Sequence, residues 1–396
     1  MPEFDAVVAG HLCLDVIPSF NQSRPAGQKA ALLPGGLVLV GPATFATGGP
    51  VSNTGLSLLK LGINTRLMGK VGGDMFGQTI QQLIAQHGPE AAGGMIVDPN
   101  AHSSYTFIIS APGVDRTFFH YPGPNDTFSA GDIRYELLSH ARLFHFGYPP
   151  IMKLMYDNGG EQLERIFRQA KASGITTSLD TTQPDPTSPA GQADWNAIFA
   201  RTLPHVDIFL PSIEELLLMT RRDTFEALRA AAPHGDLLTQ LAPQLLTDVS
   251  DDLLALGVKI VALKLGHRGL YLRTAGAAAL AGMGRARPPD VAAWANRELW
   301  APCFKTSVVG TTGAGDAAIA GLLAGLLRGL PPEEAITTAV AVGACNVEAP
   351  DALGGVQGWE ATRGRIAAGW QRHPLALDAP GWQFNAAHHL WAREAA

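Results

Sequence analysis

The stretch with the most chemistry in it is Gly313-Ala314-Gly315-Asp316, three small residues and a carboxylate at the head of the apolar run Ala317 to Leu327. Glycine lets a backbone approach a ligand closely. Uncovered N–H groups at a helix start attract an anion such as phosphate. A carboxylate repels such an anion, so Asp316 stands there either as a helix cap or as a group that removes a proton beside a phosphate. No Gly-Lys-Ser/Thr follows these glycines, so this is not a Walker A loop, and "GKVGGDMFG" (Gly69–Gly77) fails that spacing too. The early "VVAGHLCLD" lacks the dinucleotide fingerprint. Within it, Asp15 follows a strand pattern, where a carboxylate can cap a loop or accept from two neighbouring hydroxyls. Glu214 and Glu215 sit where a helix should begin, a place that favours negative charge in any case. His11, His120 and His145 show no metal-ligand spacing, and His145, between apolar neighbours, reads as a core residue.

These residues need elements to position them. Short apolar runs alternate with helical patterns, which predicts an α/β fold with a doubly wound, mostly parallel sheet covered on both faces. Strands are expected at Asp5–Gly10, Leu143–Gly147, Ile175–Asp180, Val206–Pro211 and Val258–Gly266, and again at Ser307–Val309 leading into the glycine turn. Helices are expected at Pro50–Gly62, ended by a C′ glycine, and at Gly73–Gly88 with Asp74 as N-cap. A third should fill roughly Glu333 to Val347, after the Gly329–Pro332 break. Two β-rich segments, Gly35–Gly49 and Ser103–Gly123, interrupt the alternation, with Ala111–Arg116 as a hairpin tip. They predict a small inserted sheet acting as a lid over residues near 31–49 and 101–124, or else extra strands at the edge of the main sheet. The domain is expected to end near residue 365, leaving 366–396 as an extension without a motif.

Composition sets the outer bounds. The 396 residues carry a formal charge of −6 and only 16% charged residues, with 44 glycines, a pattern of a large buried core with many tight turns. No Lys/Arg cluster points to nucleic acid, and the longest apolar run of the signature stops at Arg328, too short for a bilayer. Three separated cysteines, Cys13, Cys303 and Cys345, fit reduced thiols. No basic region precedes an apolar start. The expectation is a soluble, cytoplasmic protein with no nucleic-acid or membrane partner.

Taken together, the segments from about Asp5 to Gly355 resemble the PfkB carbohydrate kinases of the ribokinase-like superfamily. The family's D-T-x-G-A-G-D signature stands here as Gly310-Thr311-Thr312-Gly313-Ala314-Gly315-Asp316, with glycine in place of the first Asp. The resemblance implies Asp316 as the base that deprotonates a sugar hydroxyl, and Gly313, Ala314 and Gly315 as the anion hole for the transferring phosphoryl. "GGPVSNTGLSLLKLG" resembles the family's Gly-Gly loop and places Gly48, Gly49 and Asn53 against the sugar. "GHLCLDVIP" implies Asp15 as a sugar ligand, with Cys13 where the family often has a polar residue. "YPGPNDTF", with Gly123, Asn125 and Asp126, resembles the segment returning from lid to body and implies a substrate contact for Asn125. "FLPSIEELLLMT" looks like the N-x-x-E region that orders magnesium through water, with Ser212 at the Asn position and Glu215 at the Glu. "VALKLGHRGLYL" resembles the strand and turn beside the nucleotide, so Gly266 and Gly269 should line the ATP site. Lys264 is there either a phosphate contact or a lysine snorkelling off its strand, and Asn346 is expected to border the adenine. The cofactors implied are ATP and Mg2+, and a homodimer formed through the lid is expected. Many relatives are activated by potassium through the first signature Asp, an oxygen that Gly310 does not supply. Alternatives are a nucleoside or vitamin-precursor kinase of the superfamily, or a sugar- or nucleotide-binding protein without turnover.

Overall fold

The computed structural model describes residues 2–20, 37–109 and 117–393. Among these residues the main sheet has ten strands. Thr65–Met68, Ala6–Gly10, Leu143–Gly147, Thr176–Leu179, Ile208–Phe209 and Ile260–Lys264 run parallel in that spatial order. Leu270–Thr274, Glu298–Ala301, Leu390–Arg393 and Trp382–Asn385 extend the sheet antiparallel. Alternate side chains of a strand point to opposite faces. Accordingly Ala6 and Val8, with Ile260 and Ala262, enter one core, while Val7 and Ala9, with Val261 and Leu263, enter the other. A strand buried on both faces is mostly apolar, as in "AVVAG" and "IVAL". Where Thr176, Thr177, Ser178 and His145 interrupt this in the neighbouring strands they are fully buried, and His145 Nδ1 meets the Ser178 hydroxyl at 2.9 Å.

The helix Pro50–Lys60 begins with proline in its first turn and is followed by Gly62 at φ +76°. Met75–Ala85 is capped by Asp74, whose carboxylate accepts from the Gly77 N–H at 2.9 Å. The helices Ala314–Leu327 and Pro332–Asn346 pack so closely that a Cβ on Gly321 would lie 2.8 Å from the Ala339 Cα. The strand expected at Ser307–Val309 is absent. Those residues are irregular, and Val308 and Val309 are 65% and 58% exposed. β-Branched residues favour a strand only where a neighbouring edge and a core receive them.

Among the described residues the inserted segments, together with Cys13–Pro18, form a separate four-stranded sheet in the order Ala43–Gly48, Cys13–Pro18, Tyr105–Ile109, Thr117–Tyr121. Asp15 therefore lies within a strand of this small sheet, not in a loop. It faces Ala46 on one side and Thr106 on the other, and Thr106 in turn faces His120. The expected hairpin tip at Ala111–Arg116 and the start of the first β-rich segment lie outside the described residues. Past residue 365 the chain adds Trp382–Asn385 and Leu390–Arg393 to the main sheet, with Trp382 buried beside Tyr271 and Trp300. Among the described residues no helix is long and apolar enough to cross a membrane.

Candidate active site

Gly313, at φ +73°, is the N-cap of the helix Ala314–Leu327, and a Cβ there would lie 2.6 Å from the Ala352 Cβ. No side chain caps this helix end. Asp316 turns away from the helix and is only 2% exposed. Its Oδ2 accepts from Asn53 Nδ2 at 3.0 Å and from the Tyr148 hydroxyl at 2.9 Å, and its Oδ1 accepts from the Thr54 hydroxyl at 3.2 Å. Burial raises the Asp316 pKa above the ordinary carboxylate value, against the pull of nearby Lys264 and of these three donors. Tyr148 has a left-handed backbone (φ 64°) directly after the strand Leu143–Gly147, a conformation that concentrates at functional sites. Burial first, and then the Asp316, Asp180 and Glu215 carboxylates, push its phenol well above its usual pKa, so it stays protonated and donates.

A cavity of about 540 Å³ opens from Asp316, lined among others by Gly313, Ala314, Gly315, Lys264, Gly266, Gly269, Glu214 and Glu215. Lys264 does not snorkel. Its Nζ lies at the cavity wall, 2.6 Å from Asp180 Oδ1. Burial disfavours this ammonium, but Asp180 and Glu215 outweigh that and raise its pKa to about 12. Ser212 and Glu215 form a reciprocal capping box, and Glu215 Oε2 also accepts from the Thr181 hydroxyl at 2.9 Å. A bridge between Ser212 and Lys264 sets this helix start beside the strand end. Asp180 Oδ2 is buried without a hydrogen-bond partner, an unusual state for a carboxylate oxygen.

On the small-sheet side, the Asp15 carboxylate lies over Gly48, where a Cβ would be 2.5 Å from Oδ2. Burial pushes the Asp15 pKa to about 6, against hydrogen bonds with Cys13 and Thr106. Gly49 (φ +88°) passes so near His11 that a Cβ would lie 2.5 Å from its carbonyl oxygen. Two of the expected contacts are placed differently. The Asn125 amide is buried and fully engaged by backbone. It accepts from Leu12 N at 3.1 Å and donates to Leu12 O and Pro122 O at 3.0 and 2.9 Å. Asn346 is also buried, donating to Ala352 O at 2.6 Å, and it is not part of the cavity wall. Both asparagines clamp loops, a role that short polar side chains fill readily.

Tyr148, Thr54 and Asp180 were not singled out in the sequence. Tyr148 and Asp180 directly follow strands of the parallel sheet, at the carboxyl ends where such folds bind ligands. That position was a usable signal. Thr54 carried none beyond its place one residue after Asn53.

The model of the pfkB family of carbohydrate kinases matches residues 7–357. Fructokinase-2 of Zea mays is 23% identical over 285 residues, covering 72% of each chain. The 2-dehydro-3-deoxygluconokinase of Bacillus subtilis is 25% identical over 345 residues, covering 82% of this chain and 87% of that one. A putative ribokinase II from E. coli, solved in complex with ATP and Mg2+, superposes with a TM-score of 0.65 at 18% identity, over 92% of this chain and 99% of that one. The fold is ribokinase-like, an α/β body with a small separate sheet. The chain belongs to the pfkB family of carbohydrate kinases, phosphotransferases that act on an alcohol group.

Proposed function

We propose that the protein transfers the γ-phosphoryl of ATP to a hydroxyl of a sugar or sugar acid. The observation that carries this reading is Asp316. It is a buried carboxylate fixed by three side-chain donors at the N-terminus of a helix whose glycines line a cavity. Asp316 takes the proton of the acceptor hydroxyl, and the Gly313–Gly315 backbone with its helix end faces the charge that develops on the phosphoryl oxygens. Tyr148, Asn53 and Thr54 hold the carboxylate ionised and oriented. Lys264 supplies fixed positive charge beside the glycine turn, with Gly315 so placed that a Cβ would lie 3.3 Å from the lysine Cδ. Gly266 and Gly269 flank the nucleotide. The residues present fit magnesium: Glu214 and Glu215 line the cavity, and Asp180 keeps a buried oxygen without a partner. When bound, Mg2+ neutralises charge on the phosphates.

Asp15, Gly48, Gly49 and Asn53 bind the acceptor, and the small sheet is the lid that shuts water out. The face of this sheet opposite Asp15 exposes Phe45, Phe107, Phe119 and Tyr121, which supports a homodimer through the lid. Sedimentation equilibrium tests this, and a monomer at assay concentration would count against it. The reaction is tested by following ADP release with hexoses, pentoses, sugar acids and nucleosides, with and without Mg2+. Acceptor- and Mg2+-dependent ADP release with a sugar or sugar acid is expected. Release with none of the panel would overturn the reading.

A further inference from the structure

Where the small sheet meets the body, the fold brings His120 against His11 and Cys13, which are two residues apart and more than a hundred positions before it. An imidazole nitrogen from each of His11 and His120 and the Cys13 Sγ lie within 4.8 Å of one another. The two rings face each other through their Nε2 atoms at 3.3 Å. Cys13 and Asp15 share a face of one strand, and Thr106 and His120 continue the same row across the small sheet. His11 comes from the segment between the first main-sheet strand and this sheet.

We propose that His11, Cys13 and His120 bind a borderline divalent cation of the zinc class, which pins the small sheet to the body. Metal–nitrogen bonds of about 2.0–2.1 Å in a tetrahedral site set two ligand nitrogens roughly 3.4 Å apart, close to the observed contact. A nitrogen–nitrogen–sulfur donor set favours zinc, cobalt or copper over magnesium, which takes oxygen. His11 is buried and offers Nε2, the nitrogen that faces His120. Its Nδ1, on the Gly49 side of the ring, has no hydrogen-bond partner, so nothing among the described residues opposes the tautomer that leaves Nε2 free to bind a metal. The second ring nitrogen of His120 meets the Thr106 hydroxyl at 3.0 Å, the kind of outer contact that orients a metal-bound imidazole. His120 is exposed at the rim, which gives the ion a way in. Three protein ligands leave a fourth position for water. As the sulfur–metal bond forms, the Cys13 thiol gives its proton to solvent. Cys13 Sγ is 3.4 Å from Asp15 Oδ1, so the ion sits beside the proposed acceptor ligand and is expected to inhibit the kinase. The site itself does not depend on the proposed reaction.

The test is titration of the chelator-treated full-length protein with Co2+. Expected is saturation at one equivalent, with a thiolate-to-cobalt charge-transfer band in the near ultraviolet and strong visible bands of tetrahedral type. Zn2+ should erase both, and a large excess of Mg2+ should not. Cys13→Ser should remove the charge-transfer band, and His120→Asn should weaken Co2+ binding roughly tenfold or more. No such band, a band that survives Cys13→Ser, or displacement by Mg2+ would overturn the proposal. If Cys13→Ser does not fold, as judged by circular dichroism, the rim variant His120→Asn decides, and unchanged Co2+ affinity there overturns it.

Discussion

The polar groups around Asp316 and those around Asp15 are built on different supports. Asp316 is held by donors from the helix Pro50–Lys60 and from the end of a central parallel strand. Its own helix is locked to the next one at Gly321 and Ala339. Asp15 stands on a small separate sheet, and its side-chain neighbours, Cys13 and Thr106, belong to that sheet too. One half is fixed before any ligand arrives, as stabilisation of developing charge requires. The other, on the proposed reading, is the part that moves to admit the acceptor.

Breaking each half should therefore damage a different kinetic constant. Asp316→Asn keeps the shape but cannot take the proton, so kcat should fall by roughly 10²–10⁴-fold. Nucleotide affinity, measured by calorimetry, should stay near wild type. Retention of more than a tenth of wild-type turnover would remove Asp316 from the role of base.

Tyr148→Phe removes one charge-assisted bond of about 1.5–3 kcal/mol from Asp316, so kcat should drop about 10–100-fold. It should also change the pH profile. The base works ionised and its pKa is raised by burial, so kcat falls as pH drops through a value above the ordinary carboxylate range. The Tyr148 hydroxyl favours the ionised form, so without it the acid limb should move to higher pH. A limb that stays put would mean that the tyrosine does not tune the base.

Asp15→Asn should act on the other constant, raising the acceptor KM roughly tenfold through loss of a charge-assisted bond while leaving kcat largely intact. Equal losses in kcat and KM would blur the division between the halves. The smallest effect concerns Gly310. A Cβ there would lie 2.9 Å from the carbonyl oxygens of Ala349 and Pro350, so the loop has no room for the family's carboxylate. Turnover should change less than about tenfold when KCl is titrated at constant ionic strength. A larger activation, absent with a bulky organic cation, would show that carbonyls alone build a potassium site.

What was legible in the sequence follows the same division. The glycine turn, Asp316 and its apolar helix are contiguous, so their order alone spelled out a helix end facing an anion. Strands such as Ala6–Gly10 and Ile260–Lys264 were legible because double burial favours an apolar run, whereas Thr176–Leu179, with two threonines and a serine, was legible from β-branching and its place in the alternation. The cluster of His11, Cys13 and His120 was not, because sheet register and not sequence spacing sets the distance between strands. Asn125 and Asn346 looked like ligands because a clamp and a contact need the same side chain. Val308 and Val309 looked like a strand because propensity cannot see that no neighbouring edge exists.

One connection carries a thermodynamic consequence. The small-sheet strand Ala43–Gly48 runs through Gly49 straight into the helix Pro50–Lys60, which bears the Asn53 and Thr54 donors to Asp316. Any movement of that sheet on acceptor binding would thereby be transmitted, within a turn of helix, to the groups that set the proton affinity of the base. Linkage makes such a coupling reciprocal. If a bound acceptor tightens those donors and lowers the Asp316 pKa, loss of the proton must strengthen acceptor binding by the same factor. The enzyme would then hold its acceptor best in the ionisation state that can use it.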